Sequence, residues 1–130
     1  MHTHLIKAED IFNRGSATLV MEVFGSDAEG GFAEDQGGTV FCDGLRCDFA
    51  SGEKLCLVPG ESVNLMPGDW YAFFLGGGGD VLIGEASIVN DDNTDNIFCD
   101  PIGRFSVIDE DEAPRHLLVS DYDKMFLTAA

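Results

Sequence analysis

Residues 17–24 alternate along the chain: Leu19, Met21 and Val23 fall on one face, and Thr18, Val20 and Glu22 on the other. A period of two predicts a strand with one buried face. The same short-range pattern recurs down the sequence. Residues 39–42, then Asp43-Gly44, then residues 45–49 read as a hairpin, because Asp-Gly fits the positive φ values of a type I′ turn. Residues 55–58 stop at Pro59-Gly60, and residues 62–66 stop at Pro67-Gly68. The aromatic stretch 70–75 runs into Gly76-Gly77-Gly78-Gly79, a flexible connection, and an apolar stretch over 81–89 follows. After a polar segment, residues 105–108 and 116–119 are predicted as two further strands. The one helix candidate, residues 7–13, spans barely two turns. About nine strands with turns every 8–12 residues predict an all-β antiparallel sandwich or barrel. No internal repeat or long linker divides residues 1–130, so a single domain is expected.

Composition supports a packed core, with 45% hydrophobic and 10% aromatic residues, a balance that excludes disorder. Charge narrows the partners. Lys and Arg number 7 against 24 Asp and Glu, a formal net charge of −17. Nucleic acid and anionic membranes both require a cationic surface and are excluded. The four cysteines, Cys42, Cys47, Cys56 and Cys99, form no CxxC pair. With three of them in strand-like segments, they are expected to be reduced core residues of a cytoplasmic protein rather than disulfides. No apolar run approaches the ~20 residues of a membrane span, and the polar, titratable start does not resemble a signal peptide. The glycine run at 76–79 is a turn and not a phosphate loop, since no helix start, Lys or Ser/Thr follows it.

The first nine residues carry the candidate chemistry. His2 and His4 are two apart and share one face of a strand, and Glu9 follows. Two imidazoles and a carboxylate suit a divalent metal such as Mn, Fe, Ni, Co or Zn. From His4 to Glu9 is an odd step, so the chain must bend between Leu5 and Glu9 for all three to converge. The alternative is a mobile terminal His2 and a solvated Glu9.

HxHxxxxE, a glycine-bounded meander and a Pro-Gly turn entering an aromatic strand together resemble the cupin jelly roll. Within the cupins the chain is most similar to the D-lyxose isomerase family of sugar ketol-isomerases. The resemblance rests on MHTHLIKAEDIFNRG (1–15), LVPGESVNLMPGDWYAFF (57–74), VLIGEASIVNDDNTDNIF (81–98) and PIGRFSVIDEDEAPRHLL (101–118), with the acidic run from Val89 to Asn96 the most specific. It implies a single cupin-type jelly-roll barrel over residues 1–130, lacking the segment that precedes the histidine pair in the family. It also implies an aldose–ketose isomerase acting on a D-lyxose-like sugar. Manganese is the first choice of metal, on His2, His4 and Glu9, and a homodimer is an expected assembly.

The resemblance also suggests roles around the metal. Lys7 either donates to a sugar oxygen and stabilises enediolate charge, or is a solvated strand-end lysine. Glu85, mid-strand in an apolar setting, is the general-base candidate, or else a structural partner of Arg104 or Arg14. Trp70, Asp95 and Arg104 are the sugar-binding candidates. Asp91, Asp92, Asn93 and Asp95 serve turn amides or the sugar, residues 109–112 form a solvated acidic loop, and His116 is a core or edge residue. One departure bears on activity. The family carries a fourth ligand, a histidine, after the Pro-Gly turn, and the resemblance puts Ala72 in its place. A methyl group cannot ligate, so weak metal binding is expected. The alternative function is a non-catalytic cupin that binds a sugar or serves as an assembly partner.

Overall fold

The computed structural model describes residues 1–100, 111–113 and 115–116, with no side chain described at Asp92 or Asn93. Ten strands follow in chain order: β1 (His2–His4), β2 (Glu9–Asn13), β3 (Leu19–Phe24), β4 (Gly38–Cys42), β5 (Leu45–Phe49), β6 (Glu53–Leu57), β7 (Ser62–Leu65), β8 (Trp70–Leu75), β9 (Ile83–Ser87) and β10 (Asn96–Phe98). A single helical turn, α1 (Asp92–Asp95), precedes β10.

Pairing is nested and antiparallel. β4 pairs with β5, β3 with β6, β2 with β7 and β1 with β8. The chain is therefore one long hairpin folded back at Asp43-Gly44 and rolled so that successive strands enter opposite sheets. Both turn residues have positive φ, 48° and 79°, as a type I′ turn demands. Rolling gives two five-stranded sheets, ordered β10-β1-β8-β3-β6 and β5-β4-β7-β2-β9. This is the jelly roll that the sequence predicts, with β9 and β10 added at its edges. Among the described residues the strands form two separate sheets, so the jelly roll is an open sandwich.

The core follows from side-chain parity. Leu19, Met21 and Val23 of β3 are buried, and Ile11, Val40, Phe49, Leu57, Val63 and Leu65 pack with them from both sheets. Each such aliphatic side chain contributes about 1.5–3 kcal/mol by leaving water. Asn13, fully buried, stitches the sheets at one end: its amide nitrogen donates to Ala17 O and Leu57 O at 2.8 Å, and its oxygen accepts from Gly15 N at 3.0 Å.

Some expectations are corrected. Residues 7–13 form no helix; Glu9, Ile11 and Asn13 alternate inward along β2, which is hydrogen-bonded on both sides by β7 and β9. Period two outweighs the weak helical preference of so short a segment. All four cysteines are free, but only Cys42 and Cys47 are half-buried; Cys56 and Cys99 are exposed. His116 is exposed and not a core residue. The predicted strand at 105–108 lies outside the described residues, as does all of 116–119 apart from His116. No helix among the described residues is long and apolar enough to cross a membrane.

Replacing Asn13 by Ala leaves two buried carbonyls without their donor. We expect urea denaturation to report a loss of roughly 2–4 kcal/mol. A loss within experimental error of zero would show that Asn13 does not join the sheets.

Candidate active site

β1 belongs to one sheet and β2 to the other, so the four residues from Leu5 to Ala8 carry the chain across the sandwich. That crossing is the bend required between His4 and Glu9. It cancels the odd spacing, because strand parity does not carry over from one sheet to the next.

Asp95, buried at the end of α1, fixes this crossing. Its Oδ1 accepts from Ile6 N at 2.7 Å, and its Oδ2 accepts from Lys7 N at 3.3 Å and from Asn90 Nδ2 at 3.1 Å. Its main-chain oxygen accepts from Leu5 N at 3.0 Å. His4 Nδ1 lies 3.1 Å from Oδ2. An ionised carboxylate only accepts, so Nδ1 carries the proton and Nε2 points the other way, toward Glu9. Burial opposes ionisation of Asp95, yet the Ile6 amide, His4 and the Lys7 amide hold its pKa below the usual carboxylate value. Asp95, expected to bind sugar, is instead buried and does not line the histidine cavity. Its oxygens are committed to the turn and to His4, so it fixes the crossing and the His4 ring.

Glu9 and Lys7 are both buried, which removes the solvated alternatives for each. Lys7 Nζ donates to Glu85 Oε1 at 2.8 Å. It also lies 2.7 Å from Glu9 Oε2, a charge contact without an aligned hydrogen bond. Burial alone would lower the ammonium pKa, but Glu85 and Glu9 outweigh it and raise the value. Burial likewise pushes Glu85 upward, and the Lys7 and Ser87 hydrogen bonds reverse that, so its pKa falls below normal. The partner of Glu85 is Lys7; Arg14 instead sits over the Phe12 ring, 6.0 Å from its centroid. Arg104 lies outside the described residues.

β8 supplies the facing wall, and here parity overturns two expectations. Tyr71 and Phe73 line the cavity, so Trp70 and Ala72 face away from it. Trp70 packs edge-on against Phe32, and its indole donates to Ser26 Oγ at 3.1 Å. Trp70, expected to bind sugar, therefore does not line this cavity. Ala72 stands opposite Glu22 on β3, on the face turned away from the cavity. The β8 side chain that faces His4 and Glu9 is Tyr71, whose hydroxyl donates to Glu9 Oε1 and lies 3.4 Å from His4 Nε2. Burial and then Glu9 raise the phenol pKa, so it stays protonated. The sequence expectation put Ala72 at this position, and the strand instead turns Tyr71, one residue earlier, toward the cavity.

His2 closes the cluster. Its ring lies 5.3 Å from His4, 4.4 Å from Tyr71 and 5.6 Å from Phe98. Burial, then His4, the amino terminus and Lys7, lower its pKa to about 4, so it is neutral at neutral pH and its lone pair is available. His2, His4, Lys7, Tyr71, Phe73 and Glu85 line one open cavity of about 510 Å³. The cavity combines a buried ammonium, an ionised carboxylate at its mouth and two imidazoles.

The family model for D-lyxose isomerase matches residues 1–122. The chain belongs to the D-lyxose isomerase family. It is 47% identical over 123 residues to a D-lyxose/D-mannose isomerase of Serratia proteamaculans, which covers 94% of this chain and 54% of that relative. A D-lyxose/D-mannose isomerase of Escherichia coli O157:H7 is 45% identical over 123 residues, with the same 94% and 54% coverage. The chain thus spans about half the length of the curated relatives it matches. The segment that gathers the cavity, from His2 through Asp95, lies within the stretch matched by the D-lyxose isomerase family.

The His2 shift makes a testable statement about the metal-free protein. Its folded pKa lies below the ordinary 6.5, so the stability tied to neutral His2 is present above pH 6.5 and is lost as pH falls toward 4. An NMR titration of imidazole Cε1–H signals should find the His2 midpoint near 4. A midpoint at or above 6 would mean that His2 is solvated.

Proposed function

We propose that this chain forms the catalytic half-site of an aldose–ketose isomerase acting on D-lyxose or a related aldose. The observation that carries the reading is the pairing of Lys7 Nζ with Glu85 Oε1 at 2.8 Å on the wall of the histidine-lined cavity. Isomerisation moves a proton between adjacent carbons while charge develops on the neighbouring oxygen. It therefore needs a base and a cationic donor side by side. Glu85 is ionised and partly exposed, with 43% of its side chain accessible, so it can accept the carbon-bound proton and return it. Lys7 retains its proton and donates to the enediolate oxygen. Phe73 gives the apolar face of the sugar a surface. Family membership and the names of the relatives support a sugar isomerase.

A divalent cation fits the donor chemistry of His2, His4 and Glu9: two imidazoles, one held neutral by burial, and a buried carboxylate with one oxygen lacking an aligned hydrogen bond. Manganese is the preferred ion, with Zn, Fe, Co and Ni as chemically reasonable substitutes. Bound there, it would polarise the sugar carbonyl as a Lewis acid. Among the described residues, no three His, Cys, Asp or Glu side chains already surround one point, because Lys7 and Tyr71 engage Glu9. Binding must displace those contacts, which weakens it. Tyr71 thus also favours a second reading, a sugar-binding relative with little turnover. The four free cysteines support a reducing, cytoplasmic location.

Two measurements test these readings. Incubation with an aldopentose and aldohexose panel and added manganese should yield ketose, and Glu85→Gln should reduce kcat by about 10²–10⁴-fold. No ketose from any sugar would favour the binding reading. Calorimetric titration with manganese should show tighter binding for Tyr71→His and unchanged binding for Ala72→His. Tightening by Ala72→His instead would overturn the orientation of β8.

A further inference from the structure

A second cavity, of about 280 Å³, opens between the sheets at the Asp43-Gly44 end and shares no lining residue with the histidine cavity. Cys42 and Cys47 line it beside Leu45, Leu55, Asp43 and Glu61. The β4–β5 register pairs Val40 with Cys47 and Cys42 with Leu45. Val40 is buried, so Cys42 and Cys47 are diagonal neighbours on the inward face. Both pack against the core cluster, yet both remain half-exposed at the cavity. Cys56 also lines the cavity, but it lies on β6 between the more buried Leu55 and Leu57, is itself exposed, and does not pack against the core cluster.

We propose that Cys42 and Cys47 form a redox-active dithiol that closes to a disulfide across the β4–β5 hairpin when a small neutral peroxide enters this cavity. Burial, then the hydrogen bond and charge of Cys47, then the charges of Asp43 and Glu61 push the Cys42 thiol up to about 12. In this scheme Cys47 reacts first and Cys42 resolves. The Cys47 thiol attacks hydrogen peroxide, the O–O bond breaks, and Cys47 sulfenic acid and one water form. The Cys42 sulfur then displaces hydroxide from that sulfenic acid, its proton leaves with the hydroxide as a second water, and the S–S bond forms. Two thiols are oxidised and one peroxide is reduced.

The cavity selects the oxidant. Asp43 and Glu61 line it in a chain of net charge −17, which repels anionic disulfides such as oxidised glutathione and leaves an uncharged peroxide unimpeded. Diagonal neighbours sit about 7–8 Å apart at Cα, beyond the usual disulfide span of about 6.8 Å, so the hairpin backbone must draw together for the bond to close. The bond therefore forms with some strain, which keeps it open to reduction.

The test uses the full chain, treated with hydrogen peroxide or with oxidised glutathione, followed by non-reducing peptide mapping. Peroxide should give a Cys42–Cys47 linked peptide that a thiol reductant removes, and glutathione disulfide should give far less. In Cys42→Ser, a dimedone adduct should appear on Cys47, while Cys56→Ser should leave the linked peptide unchanged. Oxidation confined to Cys56 or Cys99, or equal linkage by both oxidants, would overturn the proposal.

Discussion

One buried carboxylate organises the chemistry of this chain. Asp95 binds the Ile6 and Lys7 amides and His4 Nδ1, and these lie on the only stretch that carries the chain from β1 into β2. Burying a charge is costly unless hydrogen bonds replace its water. Here the replacement comes from the turn itself, so the turn cannot relax without exposing an uncompensated anion. The same contacts select the His4 tautomer and bring Lys7 and Glu9 to one wall. Turn geometry and site chemistry are therefore a single constraint.

The fold supplies the frame at little local cost. Nesting the strand pairs about the Asp43-Gly44 turn means that every later strand meets an earlier one running the other way. Side-chain parity then decides which residues reach the interior. On β3 that parity fills the core with Leu19, Met21 and Val23; on β8 it turns Tyr71 toward Glu9 and His4 and sends Trp70 and Ala72 elsewhere. A slip of one residue on β8 would exchange a phenol for a methyl group in the cavity. The electrostatics follow from the same arrangement. Lys7 sits between two carboxylates, so its charge persists despite burial, while His2 stays neutral because cations and apolar walls surround it.

Much of this was legible in the sequence because its signals are local. The Asp-Gly hairpin, the Pro-Gly stops and the β3 alternation each depend on neighbouring residues, and they located most of the strands. The sequence left the convergence of His2, His4 and Glu9 as one of two readings and named the bend between Leu5 and Glu9 that it requires, while Lys7 entered only through the family resemblance. What could not be read were contacts set by sequence-distant partners. Asp95 meets His4 across 91 residues, and nothing in its acidic surroundings distinguishes an orienting carboxylate from a sugar ligand. Residues 7–13 resembled a helix because their pairing with β7 and β9 lies more than fifty residues away. The β8 error was different in kind: the family motif was aligned on Ala72, whereas the strand turns Tyr71 inward.

The central claim is that Asp95 holds the β1–β2 crossing and, through it, the site. The most direct measurement is amide hydrogen exchange at Ile6 and Lys7, read beside sugar turnover, in the parent chain and in Asp95→Ala. The account predicts that the variant remains folded, loses protection at both amides and loses turnover by at least about 10-fold, the lower end of the cost of removing a ligand-orienting partner. Unchanged protection with unchanged turnover would contradict it.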